Sequence, residues 1–148
     1  MFSNALNSSE LSIEAVRIPH RDELSDMHAF IIRGPSKSLL FLPDHDTWDE
    51  TLAVHNSSSI REWLATMNVD IALVDGTFWS EDELGGRNQS QVPHPPVMQT
   101  LKMLGEKNQD DPEILFTHLN HTNPLYNRNS EQRNEVERLG WSIAYQGQ

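Results

Sequence analysis

The chain reads as a single α/β domain, a mixed sheet with helices on one of its faces. Three observations carry that reading. Short continuous apolar runs (Phe30-Ile31-Ile32, Leu39 to Leu42, Ile71 to Val74, Ile114-Leu115-Phe116) have the length and turn-residue flanks of strands. Between them lie stretches with apolar residues at helical spacing, such as Ile60, Trp63, Leu64 and Met67. At 148 residues there is room for one ordinary domain and too little for two.

Taken in order, residues 1–10 form a polar lead-in and residues 11–148 the domain. Leu11 to Ile18 sets Leu11, Ile13 and Ala15 against Ser12 and Glu14, a period-two strand ending at Pro19-His20. Arg21 to Asp26 is a charged loop. Ala29 to Ile32, the Gly34-Pro35 turn and Leu39 to Leu42 read as a hairpin. Ser57-Ser58-Ser59 caps a helix through Met67. Ile71 to Val74 is a strand closed by Asp75-Gly76-Thr77, and Gly85 to Gln91 is a polar, Gly-rich loop. A helix carrying Val97, Met98, Leu101 and Leu104 follows His94-Pro95-Pro96. Ile114 to Phe116 is the next strand, Ser130 to Leu139 a helix with a capping start, and Trp141 to Tyr145 a last strand.

Continuous apolar strands are those covered on both faces of a sheet. Two or three helices cover one face. The other therefore calls for a partner, a second copy or further chain.

Composition excludes several functions. With 22 Asp and Glu against 11 Lys and Arg, the net charge is -11 and the pI about 4.9, a field that repels nucleic acid. No apolar run reaches the length of a membrane span, and no signal-peptide pattern opens the chain, so a cytoplasmic location is expected. The absence of cysteine removes disulfides, thiolate zinc and a Cys nucleophile.

The residues that carry chemistry gather at strand ends. His118 and His121 follow the apolar run and precede Asn123-Pro124; three apart on a continuous strand, they would face opposite ways unless the chain bends. Each is a candidate ligand or an ordinary turn histidine. Asp44 and Asp46 flank His45 after Leu39 to Leu42, as ligands on one face or as the cap of a helix beginning near Thr47. His20 lies in a charged loop at another strand end. His94 is held among Pro93, Pro95 and Pro96, which pre-organises an imidazole or simply opens a helix. Asp75 stabilises a turn or orients His94, the usual way to build a general acid or base. His28, His45 and His55 have no supporting context. No phosphate loop, nucleophile elbow or dinucleotide fingerprint is present.

In order along the chain, Pro19-His20-Arg21, Leu42-Pro43-Asp44-His45-Asp46-Thr47-Trp48, Val74-Asp75-Gly76-Thr77-Phe78-Trp79, Pro93-His94-Pro95, Thr117-His118-Leu119-Asn120-His121-Thr122-Asn123-Pro124 and the closing Gly140-Trp141 to Gly147 resemble the metallo-β-lactamase-fold hydrolases, in the branch of pyrroloquinoline quinone biosynthesis protein B. The resemblance covers nearly everything after residue 10. It implies half of an αββα sandwich and a dinuclear site, usually zinc, with manganese or iron as alternatives. It makes Asp44 the bridging carboxylate, His20 a ligand of one ion and His118 the last ligand of the other. Asp75 and His94 take the places of the pair that protonates the leaving group, and His121 that of a supporting or turn residue. The family's first motif, His-x-His-x-Asp-His, is absent from residues 1–19. Two protein ligands per ion remain, below the three of a catalytic zinc.

The expectation is therefore the C-terminal half of a metal-dependent hydrolase of ester or phosphodiester type, acting on a small molecule but not active alone. The alternative is a non-catalytic half-domain that pairs with itself or a separate N-terminal subunit, as an assembly or binding module.

Overall fold

The computed structural model describes residues 10–21, 26–85, 92–145 and 147. Most of the lead-in, the middle of the charged loop and the Gly-rich loop beyond Gly85 lie outside them. Six strands form one sheet in sequence order: β1 (Ser12–Ile18), β2 (Met27–Arg33), β3 (Ser38–Leu42), β4 (Ile71–Asp75), β5 (Glu113–Thr117) and β6 (Ser142–Ile143). β1, β2 and β3 pair antiparallel; β3 to β6 pair parallel. The crossovers carry α1 (Trp48–Val54), α2 (Ile60–Met67), α3 (Val97–Leu104) and α4 (Glu131–Arg138), with a 3₁₀ turn at Pro124–Tyr126.

This order decides both the core and the site. Parallel neighbours need right-handed crossovers, and in a sheet whose order never reverses these put every helix on the same face. Burial agrees: Ala29, Ile31, Leu40, Leu42, Ala72, Val74, Ile114 and Phe116 form one cluster with Trp48, Trp63, Leu64, Leu101 and Val136 of the helices. The alternate strand positions face away. Phe30 is 41% exposed and Phe41 37%, and a cleft of about 420 Å³ on the same sheet is lined by Leu39, Ile71, Leu73, Leu115 and Tyr145. The apolar runs that predicted two covered faces thus have one covered by this chain.

β1 runs in the direction of β3, because β2 is antiparallel to both. The C-terminal ends of β1, β3, β4 and β5 therefore emerge at one edge, bringing His20, Asp44, Asp75 and His118 together.

Local signals explain the helix starts. Thr47 Oγ1 accepts from Glu50 N at 3.1 Å, the N-cap bond, and donates to Glu50 Oε2 at 2.9 Å. Ser59 and Ser130 accept from Glu62 N and Arg133 N, both at 3.1 Å. Arg61 of α2 closes the far end of the layer: it pairs with Asp111 at 2.8 Å and donates to the carbonyl of Leu104, at the end of α3, and to that of Glu106 just beyond it. Among the described residues no helix is long and apolar enough to cross a membrane.

Gly76, just past β4, lies tight against the end of β5. Its N–H donates to Thr117 O at 2.8 Å, and a Cβ there would lie 2.8 Å from that oxygen and 3.0 Å from Phe116 Cβ and Leu119 Cδ2. Gly76→Ala should lower stability by about 1–3 kcal/mol, the cost of forcing a methyl into a packed site, read as a fall in the urea midpoint. An unchanged midpoint would mean that the two strands separate freely here.

Candidate metal centre

Each side chain at the edge is placed by a feature of its own loop. His118 is the first residue after β5 and has φ 60°, a left-handed conformation rare for a side chain other than Gly or Asn. That is the bend a histidine pair three apart requires. It turns the His118 imidazole back over the edge and leaves His121 exposed, away from the cluster. Asn123, 2% exposed, fixes the bend: its Nδ2 donates to Gly76 O at 2.7 Å while Oδ1 accepts from Leu125 N. The Pro-stiffened segment before α3 delivers His94, whose ring packs edge-on against Phe78 at 5.8 Å.

Asp75 is the centre of this arrangement, with no exposed side-chain surface. Oδ2 takes His94 Nδ1 at 2.7 Å and His45 N at 3.4 Å; Oδ1 accepts from Thr77 N at 2.9 Å. Thr77 Oγ1 stands 3.2 Å from His94 Nδ1 and 3.0 Å from His118 Nδ1, between the two rings. Asp44, at the end of β3, brings Oδ1 to 3.8 Å from His94 Nδ1 and 3.7 Å from His118 Nδ1. One ligating atom from each of Asp44, His94 and His118 lies within 4.8 Å of the other two.

The remaining candidates have other partners. His20 sits beside the cluster, its ring 5.6 Å from that of His94, but its Nδ1 meets Asp46 Oδ1 at 3.0 Å. Asp46 also accepts from Arg21 N at 3.4 Å, so it secures the His20 loop instead of capping α1, which Thr47 does. Next to the cluster is an open cleft of about 530 Å³ lined by Thr77, Thr117, His118, Asn120 and Tyr126.

Two imidazoles and a carboxylate at one strand edge suit zinc, manganese or iron. They are enough for one ion with an open position. A second ion would depend on His20, which is engaged by Asp46, and on donors from outside the described residues.

Two residues here go beyond the site candidates that the sequence offers. His45 is fully buried, its Nδ1 3.0 Å from Thr51 Oγ1 and its ring edge-on to Trp48 at 4.5 Å. Thr77 appeared only as part of a turn; its link to both imidazoles comes from the pairing of β4 with β5. For His45 the alternation along Asp44-His45-Asp46 does place it opposite its neighbours, and opposite a solvent-facing carboxylate means toward the core.

This sheet, with its helices on one face and metal donors at one edge, defines one layer pair of a metallo-β-lactamase-type sandwich. The chain belongs to the beta-lactamase superfamily, whose domain model matches residues 3–119. Coenzyme PQQ synthesis protein B of Acinetobacter baumannii (strain ACICU) is 26% identical over 145 residues, covering 93% of this chain and 46% of that protein. The protein of the same name from Cupriavidus necator is 34% identical over 87 residues, 54% of this chain and 28% of its own. Among solved structures, the Zn(2+)-bound PqqB from Methylobacterium extorquens has a TM-score of 0.63 at 21% identity, covering 93% of this chain and 49% of that one. YhfI from Bacillus subtilis, a metallo-beta-lactamase fold protein, has a TM-score of 0.53 at 14% identity and similar coverage, 93% and 47%. The chain spans about half the length of the curated relatives it matches along nearly its whole length.

The two buried histidines respond to pH in opposite ways. Burial pushes His45 from 6.5 down to about 4, against a smaller opposing pull from Asp75. Burial also disfavours charge on His94, but the hydrogen bond and charge of Asp75, helped by Asp44 and Asp46, outweigh it, and the net shift is upward. A lowered histidine contributes stability that is present above its unfolded pKa and is lost as pH falls; for His45 that loss runs from 6.5 to about 4. A raised one contributes stability present below its unfolded pKa and lost as pH climbs through its folded value. From these two groups alone, the stability of metal-free protein falls below pH 6.5 by up to about 3 kcal/mol as His45 is protonated, and falls above it as His94 loses its proton. Urea titrations across pH 4 to 8 measure it, and His45→Gln should flatten the acid limb.

Proposed function

We propose that this chain is the C-terminal half of a metal-dependent hydrolase of ester or phosphodiester type, active on a small molecule once a complementary half supplies the remaining donors. The observation that carries the reading is the meeting of Asp44, His94 and His118 at one strand edge, with Asp75 behind His94. In the completed centre Asp44 would be shared between two ions, with His20 and His118 each contributing to one. Zinc is the first expectation, and manganese and iron suit the same donor types. A metal bound there supplies Lewis-acid activation of water and of the scissile group.

The chain's own residues supply proton handling. The buried carboxylate of Asp75 accepts from His94 Nδ1, which fixes the ring and leaves Nε2 as the nitrogen that exchanges a proton with substrate. The raised pKa of His94 favours the imidazolium, so the role it supports is donation to the leaving oxygen. The open cleft beside His118, with Asn120 and Tyr126 on its wall, supports binding of the substrate there.

A second reading, a non-catalytic module that pairs through its sheet, is favoured by the exposed Phe30 and Phe41. In both readings a partner or second copy covers that face.

The test is hydrolysis of bis(p-nitrophenyl) phosphate and p-nitrophenyl esters in zinc or manganese, by the chain alone and with a separately produced half bearing His-x-His-x-Asp-His. The chain alone should give no turnover above buffer and the pair should give turnover. His94→Ala should then lower kcat by about 10²–10⁴-fold, the usual worth of a general acid. No turnover in either case, together with a stable dimer by light scattering, would favour the pairing module.

A further inference from the structure

We propose that the cleft beside His118 holds an anionic group and that Arg128 recognises it, so that the substrate is a small molecule with a carboxylate on a flat apolar body. That the bound molecule is a substrate rests on the hydrolytic reading; the anion site itself does not.

Arg128 is used differently from its counterparts. Arg17, Arg33, Arg61, Arg133 and Arg138 each pair with a carboxylate, at 2.8 to 4.0 Å. Exposed Arg128 has no carboxylate partner among the described residues, and its guanidinium carbon lies 5.1 Å from the centroid of the Tyr145 ring. A ring steadies a guanidinium without neutralising it, so charge and N–H donors remain for an anion. Arg133 approaches the same ring to 4.9 Å but is buried and committed to Glu137 at 2.9 Å and Leu125 O at 3.3 Å. It steadies Tyr145 and leaves Arg128 as the accessible charge. Asn127 pins the turn that presents Arg128: its Oδ1 accepts from Asn129 N and its carbonyl from Ser130 N, both at 3.0 Å.

The cleft matches such a ligand in size and lining. Its volume of about 530 Å³ is that of a small-molecule site. Its wall runs from Thr77 and His118 to Tyr126 and Tyr145, so a molecule seated there has one end at the histidine edge and the other at Arg128. The Tyr126 hydroxyl donates to Leu119 O at 3.1 Å, which fixes a ring that is 62% exposed; Tyr145 is 42% exposed. Two open rings offer apolar surface to a flat body. Among the described residues none that lines the cleft is acidic, although the chain holds 22 Asp and Glu. The nearby carboxylates of Asp44 and Asp75 and the net charge of -11 disfavour a dianion, and a single guanidinium matches a single carboxylate. A monocarboxylate therefore fits better than a phosphate monoester.

Benzoate and its neutral counterpart benzamide, titrated into isotope-labelled full chain and followed by NMR, test the site without turnover. Benzoate should shift the Arg128 Nε–H and the Tyr126 and Tyr145 ring resonances saturably. Benzamide should bind about tenfold more weakly or worse, the worth of a charge-assisted hydrogen bond. Arg128→Gln should cost benzoate about the same factor, and Arg128→Lys should recover part of it, since an ammonium keeps the charge but not the fork. Tyr145 also lines the apolar cleft on the bare sheet face, so the methyl resonances of Leu73 and Leu115 are followed as a control. In the completed enzyme, a p-nitrophenyl ester whose acyl chain ends in a carboxylate should have a lower KM than its carboxamide counterpart. Arg128→Gln should remove that difference by acting on KM more than on kcat. Benzoate binding through Arg128 in a pair without turnover would support the anion site and reject the hydrolytic reading. No saturable benzoate binding, equal affinity for benzamide, shifts confined to Leu73 and Leu115, or benzoate affinity unchanged in Arg128→Gln would each overturn the proposal.

Discussion

A carboxylate with no solvent of its own governs the working edge of this protein. Asp75 is buried at the end of β4, and an ionised group in such a place must be paired or hydrogen-bonded to be tolerated. Three groups satisfy it: the His94 ring, the Thr77 amide and, more distantly, the His45 amide. They come from the loop before α3, the turn after β4 and the loop after β3. Meeting the needs of one buried charge thus draws three separate segments to a point, and through Thr77 it reaches His118 on a fourth.

That convergence rests on the topology. Strand order equal to chain order gives a sheet with a helical side and a bare side, and a single edge where four strands end together. The same geometry that concentrates the donors leaves Phe30 and Phe41 in solvent. Site and bare face are two products of one set of crossovers. In an αββα sandwich the second sheet resolves both at once, by covering the apolar side and bringing further donors to the shared edge.

Much of this architecture was legible in the residues. Apolar runs located the strands, and Ser59 and Ser130 marked helix starts through a mechanism that operates within four residues. Such signals are local, so they survive in a one-dimensional string. The 3₁₀ turn at Pro124–Tyr126 was not anticipated, and Trp141 to Tyr145 read as a longer strand than the two residues that pair. For the site, strand ends drew attention to His20, Asp44, Asp75 and His118 and the proline-stiffened segment to His94, while the resemblance supplied the roles expected of them. What could not be read was pairing across the sheet. Thr77 meets His118 only because β4 and β5 are in register, a relation over 41 residues that no local pattern encodes. His45 is the opposite case: local alternation turns it away from Asp44 and Asp46, but only the packing of Trp48 and Thr51 around it makes that side the core. The alternative use of Asp46 as a helix cap was decided by one residue, since Thr47 holds the cap and frees Asp46 for His20.

The left-handed backbone at His118 has a further consequence. A non-glycine residue held in that conformation costs the fold about 1–3 kcal/mol, a sizeable share of the margin by which a domain this size stays folded. Glycine there would relieve the strain and remove the imidazole; a β-branched residue would worsen the strain and remove it as well. Stability and chemistry therefore pull on this one position in opposite directions. In a lineage that no longer used the site, glycine or asparagine would be the expected replacements, which makes residue 118 an evolutionary gauge of whether the centre is still in service.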